Sequence, residues 1–331
     1  MYLGFILSPV DSKRRFQPIG AYGVDLFFVL SGFLIGGLYF SELRECKRVE
    51  GWRFWFRRAL RTMPPYFVML AIVWISVHVL RNQCFAWQYL FFSQNYMVEI
   101  PFFLASWSLC VEEHFYAVLV PLLAICARTR LPYWILLLLA RLPVVFRLID
   151  SAAAPDLPFG YSQTATHLRI SGVLLGVYGA HLATFKRGQW KKLKRICVFL
   201  TVPLFSAFLT IPLWTSACRH YFSPELAAIT SFSLLCSIEG RFASRLAKSK
   251  VVFWIATTSY SVYLTHGIAF QIGTALRSKM SFLPTVLILI IWMLLAFGAG
   301  FIFWWIVERN AIRIRDHLVP SRFKNLKKGI S

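Results

Sequence analysis

The sequence predicts an all-α fold, a polytopic bundle of helices that crosses a membrane several times. Hydrophobic residues make up 58% of its 331 residues and charged residues only 15%, and the mean hydropathy is +0.60. A soluble globular domain is less apolar than this. The apolar residues also fall in long runs, as membrane-spanning helices require. We expect one integral membrane domain over residues 1–331.

Nine apolar runs in the sequence approach the roughly 17 to 25 residues that a helix needs to cross the hydrocarbon core. No internal repeat or second soluble domain separates them. The predicted spans lie at about 22–40, 64–80, 103–127, 132–149, 166–185, 196–214, 222–238, 251–273 and 283–307. A short apolar stretch, residues 1–9, precedes them and looks like the end of a tenth helix.

The charges between the runs predict the orientation, because cytoplasmic segments carry an excess of Lys and Arg. Basic clusters occupy residues 41–63, 186–195 and 309–328, whereas residues 150–156 are acidic. An external amino end and a cytoplasmic carboxyl end fit this pattern, except for Lys13–Arg15 and the weakly basic loop Arg277–Lys279. Anchoring at the membrane surface therefore explains the formal net charge of +22, and we expect no nucleic-acid partner.

The first span contains one acidic residue and two spaced glycines, in "GVDLFFVLSGFLIGG". Asp25 lies at its outer end, and an ionisable group at such a depth usually faces a polar cavity. Gly32 and Gly36 form a GxxxG face, which predicts the close approach of another helix.

Three arginines cluster at the cytoplasmic end of the second span, in "FRRALRTMPPY". Arg57 and Arg58 lie four and three residues before Arg61, so the three side chains are neighbours on a helix. A guanidinium group can bind a phosphate through two hydrogen bonds, which suits a phosphorylated cytosolic donor. Anchoring at the membrane surface is the alternative, and the charges alone leave both open.

The third span begins with "SWSLCVEEHFY", which contains two adjacent acids. Neighbouring side chains on a helix point about 100° apart, so Glu112 and Glu113 cannot share a face. We expect one of them to line a cavity and the other to hold the bundle together. The intramembrane arginines Arg141, Arg147 and Arg169 are candidate counter-charges for these two glutamates.

The eighth span contains "TTSYSVYLTHG", in which Ser259, Tyr263 and His266 share one helical face. A histidine can act as a base near neutral pH, although a packing role is the alternative. The sequence contains no CxxC pair, HExxH motif, phosphate-binding loop or dinucleotide fingerprint. We therefore expect no bound metal.

Taken together and in this order, four stretches resemble the acyltransferase 3 family of integral membrane O-acyltransferases. They are "GVDLFFVLSGFLI" at 23–35, "FRRALRTMPPY" at 56–66, "SWSLCVEEHFY" at 106–116 and "SYSVYLTHG" at 259–267. Weaker agreement comes from residues 168–180 and 304–315. The ordered set covers nearly the whole chain.

The resemblance implies a ten-span bundle in the plasma (inner) membrane. Such an enzyme moves an acyl group, often acetyl, from cytosolic acyl-CoA to a hydroxyl group of a carbohydrate. It implies catalytic roles for His266, Glu113, Glu112 and Asp25, and binding of CoA phosphates by Arg58 and Arg61 together with Arg57. The expected acceptor cavity contains Ser31, Tyr260, Tyr263, Arg169 and Trp107.

The sequence departs from the family at its amino end. Family members usually begin with a helix that carries an arginine and, ten intervening residues later, a histidine taken to be the catalytic base. Nothing before Gly23 supplies this pair, so we expect the first helix of the family to be missing. Three explanations stay open: a start assigned too late, a truncated inactive relative, or a variant in which His266 or a glutamate serves as the base.

Two other classes of function also stay open. A transporter or flippase for a lipid-linked glycan would likewise bury polar residues along its path. A non-catalytic remnant would fold without transferring anything.

Overall fold

The computed structural model describes residues 10–46, 49–82, 84–129, 132–153, 161–211, 216–238, 248–279 and 284–320. These residues form helices and short turns and contain no strand, which confirms the all-α prediction. The α-helices are α1 (Val10–Cys46), α2 (Gly51–Arg81), α3 (Trp107–Thr129), α4 (Ile135–Leu139), α5 (Leu142–Ala153), α6 (Tyr161–Thr164), α7 (Ser171–Phe185), α8 (Arg187–Leu209), α9 (Ser216–Ser237), α10 (Lys250–Lys279), α11 (Thr285–Phe303) and α12 (Arg309–Leu318).

Several of these helices have the length and apolarity of membrane spans. Within the described ranges, four segments meet both requirements: Gly23–Cys46, Gly51–Leu80, Leu104–Cys126 and Val286–Leu318. Helix α7 is apolar but shorter. The chain is therefore a membrane protein, while the total of about nine spans stays a prediction. Residues 1–9, which the sequence predicts to be the end of a tenth helix, lie outside the described residues.

The predicted span at 132–149 is not a single helix. Helix α4 ends at Leu139, a turn follows at Ala140 and Arg141, and α5 begins at Leu142. Pro143 fits the break, because proline has no backbone N–H to donate to Leu139 and is tolerated in the first turn of a helix, which is where α5 places it. The prediction of one continuous span was wrong here.

Helices α1 and α7 run parallel in close contact along small residues. A Cβ added at Gly32 would overlap the carbonyl of Val173, and one added at Gly36 would lie 3.1 Å from the Cα of Val177. On the α7 side, a Cβ at Gly176 would overlap the carbonyl of Val29. The predicted close approach at the GxxxG face is confirmed.

The helices pack in groups that bring distant stretches of the sequence together. Helix α7 packs against α1, α8 and α9, and α10 packs against α11. Helix α2 contacts α3, α10 and α12. A π-helical turn, Trp304–Glu308, joins α11 to α12 without a break. Because of this packing, polar residues of α1, α2, α3 and α10 meet inside the bundle.

Candidate functional site

The centre of the polar region is a contact between Arg58, Glu112 and Tyr116. The Tyr116 hydroxyl donates to Glu112 Oε1 at 2.8 Å, and Arg58 Nη2 donates to the Tyr116 oxygen at 2.7 Å. Arg58 Nη2 also lies 3.6 Å from Glu112 Oε2. Because the phenolic hydrogen goes to Glu112, the Ser31 hydroxyl, 2.7 Å away, donates to Tyr116. This contact links α1, α2 and α3.

Glu113 has different partners from its neighbour. The Thr62 hydroxyl donates to Glu113 Oε1 at 2.8 Å, and Tyr260 of α10 donates to the backbone carbonyl of Thr62 at 2.8 Å. Glu113 is 9% exposed and Glu112 1%. Within the described part of the chain, Glu113 has no ion-pair partner, whereas Glu112 pairs with Arg58. The two adjacent carboxylates thus point into different surroundings, as predicted from their spacing.

Asp25 pairs with Arg169 across the close contact of α1 and α7. Arg169 Nη1 lies 3.4 Å from Asp25 Oδ2, and its guanidinium carbon lies 5.1 Å from the centre of the Trp107 ring. The expectation that Arg169 would pair with Glu112 or Glu113 was wrong. Arg169 precedes the glycines of α7, and these bring it to the acid of α1 instead.

Arg147 also pairs with an acid other than the two glutamates. It lies 3.3 Å from Glu225 Oε1 and donates to the carbonyl of Leu168. The Ser171 hydroxyl donates to the same Glu225 oxygen at 2.5 Å. Arg141 is exposed. The expected pairing of Arg147 with Glu112 or Glu113 was therefore wrong.

The other arginines of the cluster contact the carboxyl-terminal part of the chain. Arg61 Nη2 lies 3.7 Å from Glu308 Oε1, and the Ser261 hydroxyl donates to Glu308 Oε2 at 2.6 Å. Arg57 lies 3.3 Å from Asp316 Oδ1. Among the three clustered arginines, the Arg61 side chain is the most exposed, at 38%. The predicted contact of these arginines with phosphates stays a prediction.

Arg58 and Glu112 lie at the same depth in the bundle, since their side chains touch. The orientation predicted from the charges puts the arginine cluster at the cytoplasmic end of the second span. It puts the start of the third span, with its two glutamates, toward the outer side, and this separation was wrong for Arg58 and Glu112. The reason lies in how α2 and α3 are aligned. A Cβ added at Gly51, where α2 begins, would touch Val120 in the middle of α3, so Arg58 reaches the level of Glu112.

His266 lies at the edge of this region and is exposed. Its Nδ1 is 2.5 Å from the carbonyl oxygen of Tyr263. A carbonyl oxygen can only accept, so Nδ1 carries the hydrogen and neutral His266 has its lone pair on Nε2. The Tyr263 hydroxyl contacts Ser108 at 2.5 Å, one turn before Glu112. Ser259 is exposed and bonds to Ala256 of its own helix.

Sequence reasoning missed two buried acids, Glu225 and Glu308. Glu225 is 6% exposed and Glu308 is fully buried. Each is an isolated acid next to or inside an apolar run. An ionisable group in such a run usually has a partner and is a candidate for a functional role. Applying this rule to every run would have found both. No group of three or more His, Cys, Asp or Glu residues that could hold a metal ion occurs among the described residues.

The chain is similar to a known protein family over most of its length. A family model described as "Acyltransferase domain" matches residues 2–309. The "Peptidoglycan O-acetyltransferase OatA" of Listeria monocytogenes is 28% identical over 278 residues, which cover 75% of this chain and 44% of that protein. The "Putative peptidoglycan O-acetyltransferase YrhL" of Bacillus subtilis is 25% identical over 280 residues, with the same two shares, 75% and 44%.

A third relative matches over a shorter stretch. A Staphylococcus aureus protein named "Putative O-acetyltransferase" is 29% identical over 131 residues, or 34% of this chain and 21% of that protein. The matched region therefore spans less than half the length of these curated relatives. No solved structure matches.

Proposed function

The chain belongs to the acyltransferase 3 family, and we propose on this premise that it transfers an acetyl group from acetyl-CoA to a hydroxyl group of a cell-envelope carbohydrate. The relatives named as peptidoglycan O-acetyltransferases support peptidoglycan as the first acceptor to test. The proposal places the enzyme in the plasma (inner) membrane, with its carboxyl end in the cytoplasm.

The observation that carries the proposal is the meeting of four distant stretches in one polar network. Ser31, Arg58, Glu112 and Tyr116 are connected by hydrogen bonds and an ion pair, and Thr62 connects Glu113 to Tyr260 of α10. These residues are all buried except Arg58. Burying polar and charged groups inside a membrane costs free energy. A cost of this kind is typical of a site with a function.

The reaction itself is the attack of a hydroxyl oxygen on a thioester carbonyl. A new C–O ester bond forms, the C–S bond breaks, and CoA leaves as a thiolate that takes up a proton. A base has to remove the proton of the attacking hydroxyl group, which is typically worth about 10² to 10⁴ in rate. We assign this role to His266, because its Nε2 has the lone pair and its side chain is exposed.

The arginine cluster would hold the donor. Arg61 presents the most exposed guanidinium of the three, and such a group binds phosphate oxygens in pairs. Arg58 would act differently, because Glu112 and Tyr116 already hold its side chain. In this scheme Arg58 and Glu112 position α2 against α3, while Glu113 stays available to the reacting groups.

The proposal is tested with the full chain in liposomes, acetyl-CoA labelled in the acetyl group, and soluble peptidoglycan fragments. We expect label in the fragments as an ester that mild alkali removes, and no label without the protein. A glycan transporter would instead move fragments across the bilayer without acetyl-CoA and leave them unlabelled. A binding scaffold would do neither, and either result would reject the proposed transfer.

A further inference from the structure

A basic cavity lies away from the polar network, between α1, α7, α8 and α9. Its volume is about 460 Å³, and its lining includes Arg187, Lys191 and Lys194 of α8 together with Trp190. Phe33 of α1 and Leu235 of α9 contribute apolar walls. Among the described residues that line this cavity, three are basic and none is acidic.

The three basic residues share one face of α8. They are spaced at i, i+4 and i+7, which places them above one another on a helix. Trp190 lies on the adjacent face, where its ring stacks on Phe33 with the ring centres 5.8 Å apart and lies 5.7 Å from Lys194 Nζ. The cations are thus aligned along one rigid element beside an aromatic wall.

The same face of α8 continues as an exposed apolar strip. Four apolar residues follow Lys194 on this face at steps of four, four, three and four residues. They are Val198, Val202, Phe205 and Leu209, and their exposed fractions are 52%, 71%, 51% and 61%. In a membrane protein, acyl chains cover exposed apolar side chains of this kind. One helix face therefore presents three cations followed by about three turns of lipid-facing surface.

We propose that this cavity binds the phosphate group of an anionic phospholipid, whose acyl chains lie along the apolar strip of α8. Arginine and lysine provide charge-assisted hydrogen bonds to the phosphate oxygens, and basic pockets between membrane helices recognise anionic headgroups. Trp190 suits the interface between headgroup and acyl chain, where aromatic residues are enriched. Neither a free phosphate nor a nucleotide would use the strip beyond Lys194.

The test compares two variants that remove the same charges from the same helix. The first, Arg187→Gln/Lys191→Gln, changes cavity residues. The control, Lys192→Gln/Arg195→Gln, changes two exposed residues of the neighbouring turns that do not line the cavity. The full chain is reconstituted into nanodiscs of mixed phosphatidylglycerol and phosphatidylcholine, and the lipid retained after release is identified by native mass spectrometry.

We expect the unaltered chain and the control to retain phosphatidylglycerol in preference to phosphatidylcholine. The preference should fall about 25-fold in the cavity variant, because each of the two basic residues removed contributes roughly a factor of five near an anionic headgroup. The charge-conserving Arg187→Lys/Lys191→Arg variant should keep it, which separates lost recognition from lost folding. Equal retention in the cavity variant and the control would overturn the proposal, as would equal retention of both lipids by the unaltered chain.

A second arm distinguishes a lipid from a soluble phosphate. The chain is heated in nanodiscs of phosphatidylcholine alone, with and without inorganic phosphate, and in the nanodiscs that also contain phosphatidylglycerol. The unfolding midpoint is recorded for each sample. A midpoint that phosphatidylglycerol raises and inorganic phosphate leaves unchanged supports the lipid. If inorganic phosphate raises it equally, and only when Arg187 and Lys191 are present, the cavity binds a soluble phosphate and the lipid proposal is rejected.

Discussion

Glu112 and Glu113 are adjacent in sequence but have different partners. Glu112 accepts a hydrogen bond from Tyr116 and pairs with Arg58, whereas Glu113 accepts one from Thr62. The divergence was predictable, because neighbouring side chains on a helix point about 100° apart. The partners of the two glutamates were not predictable, because Arg58 and Thr62 belong to another helix. Which glutamate each of them contacts depends on how α2 and α3 are aligned.

The two glutamates should therefore differ in their effect on stability. Glu112→Gln leaves the partly exposed Arg58 charge without its counter-ion, and losing a hydrogen-bonded contact to a charged group typically costs about 1.5–3 kcal/mol. Glu113→Gln keeps an acceptor oxygen for Thr62 and should cost about 1 kcal/mol. Unfolding of the purified variants measures both values. Equal unfolding midpoints would contradict the structural role of Glu112.

Arg61 provides a separate test of donor binding. If its guanidinium contacts a CoA phosphate, Arg61→Gln should raise the KM for acetyl-CoA about 10- to 100-fold, since a hydrogen bond to a charged group is worth about 1.5–3 kcal/mol. The matched control is Arg44→Gln, which removes an arginine from the exposed pair with Glu45.

Arg61→Lys separates phosphate binding from the pairing with Glu308. It keeps the positive charge but loses the planar fork, so its KM should lie between those of the unaltered chain and Arg61→Gln. Initial rates at varied acetyl-CoA concentration give the values. An unchanged KM in both Arg61 variants would remove Arg61 from the donor site.

For the helices, patterns within one segment of the sequence predicted packing faces, whereas the helix that packs on each face could not be predicted. The GxxxG pattern of Gly32 and Gly36 predicted a helix contact, and α7 provides it. The run at 132–149 was misjudged because apolarity alone does not report the break near Pro143. A pattern along one helix thus identifies a packing face, but the identity of the helix that occupies it comes only from the fold.

The contact of α1 with α7 can be tested with two alanine substitutions on the same helix. A methyl group at Gly32 would overlap the backbone of Val173, whereas nothing lies within 4 Å of one at Gly37. Gly32→Ala should therefore cost about 1–3 kcal/mol through overpacking, and Gly37→Ala should be close to neutral. Their unfolding midpoints provide the comparison, and similar values would argue against the close approach.

At the scale of the whole molecule, the sequence identified many residues of the site but few of its contacts. Asp25, Glu112 and Glu113 were predicted because charged groups in apolar runs are conspicuous, and Arg58 was predicted from the arginine cluster that precedes its span. Their partners on other helices were not predictable, because these lie 51 or more residues away in the sequence, as for Thr62 and Glu113. Periodicity gives the direction of a side chain on its helix, but it does not give the depth at which two helices meet.

We predict that this bundle is an acetyltransferase in which His266 removes the proton of the acceptor hydroxyl. His266→Ala should lower the rate of acetyl transfer about 10²- to 10⁴-fold. Ser259→Ala, which changes an exposed residue two turns earlier on α10, should leave that rate unchanged.

The most direct measurement is the rate at which labelled acetyl groups pass from acetyl-CoA to peptidoglycan hydroxyls, for the unaltered full chain and these two variants in the same liposomes. We predict ester-linked label with the unaltered chain and with Ser259→Ala, and little with His266→Ala. Equal rates in all three would exclude His266 as the base. No ester above protein-free liposomes in any of them would contradict the acetyltransferase function itself.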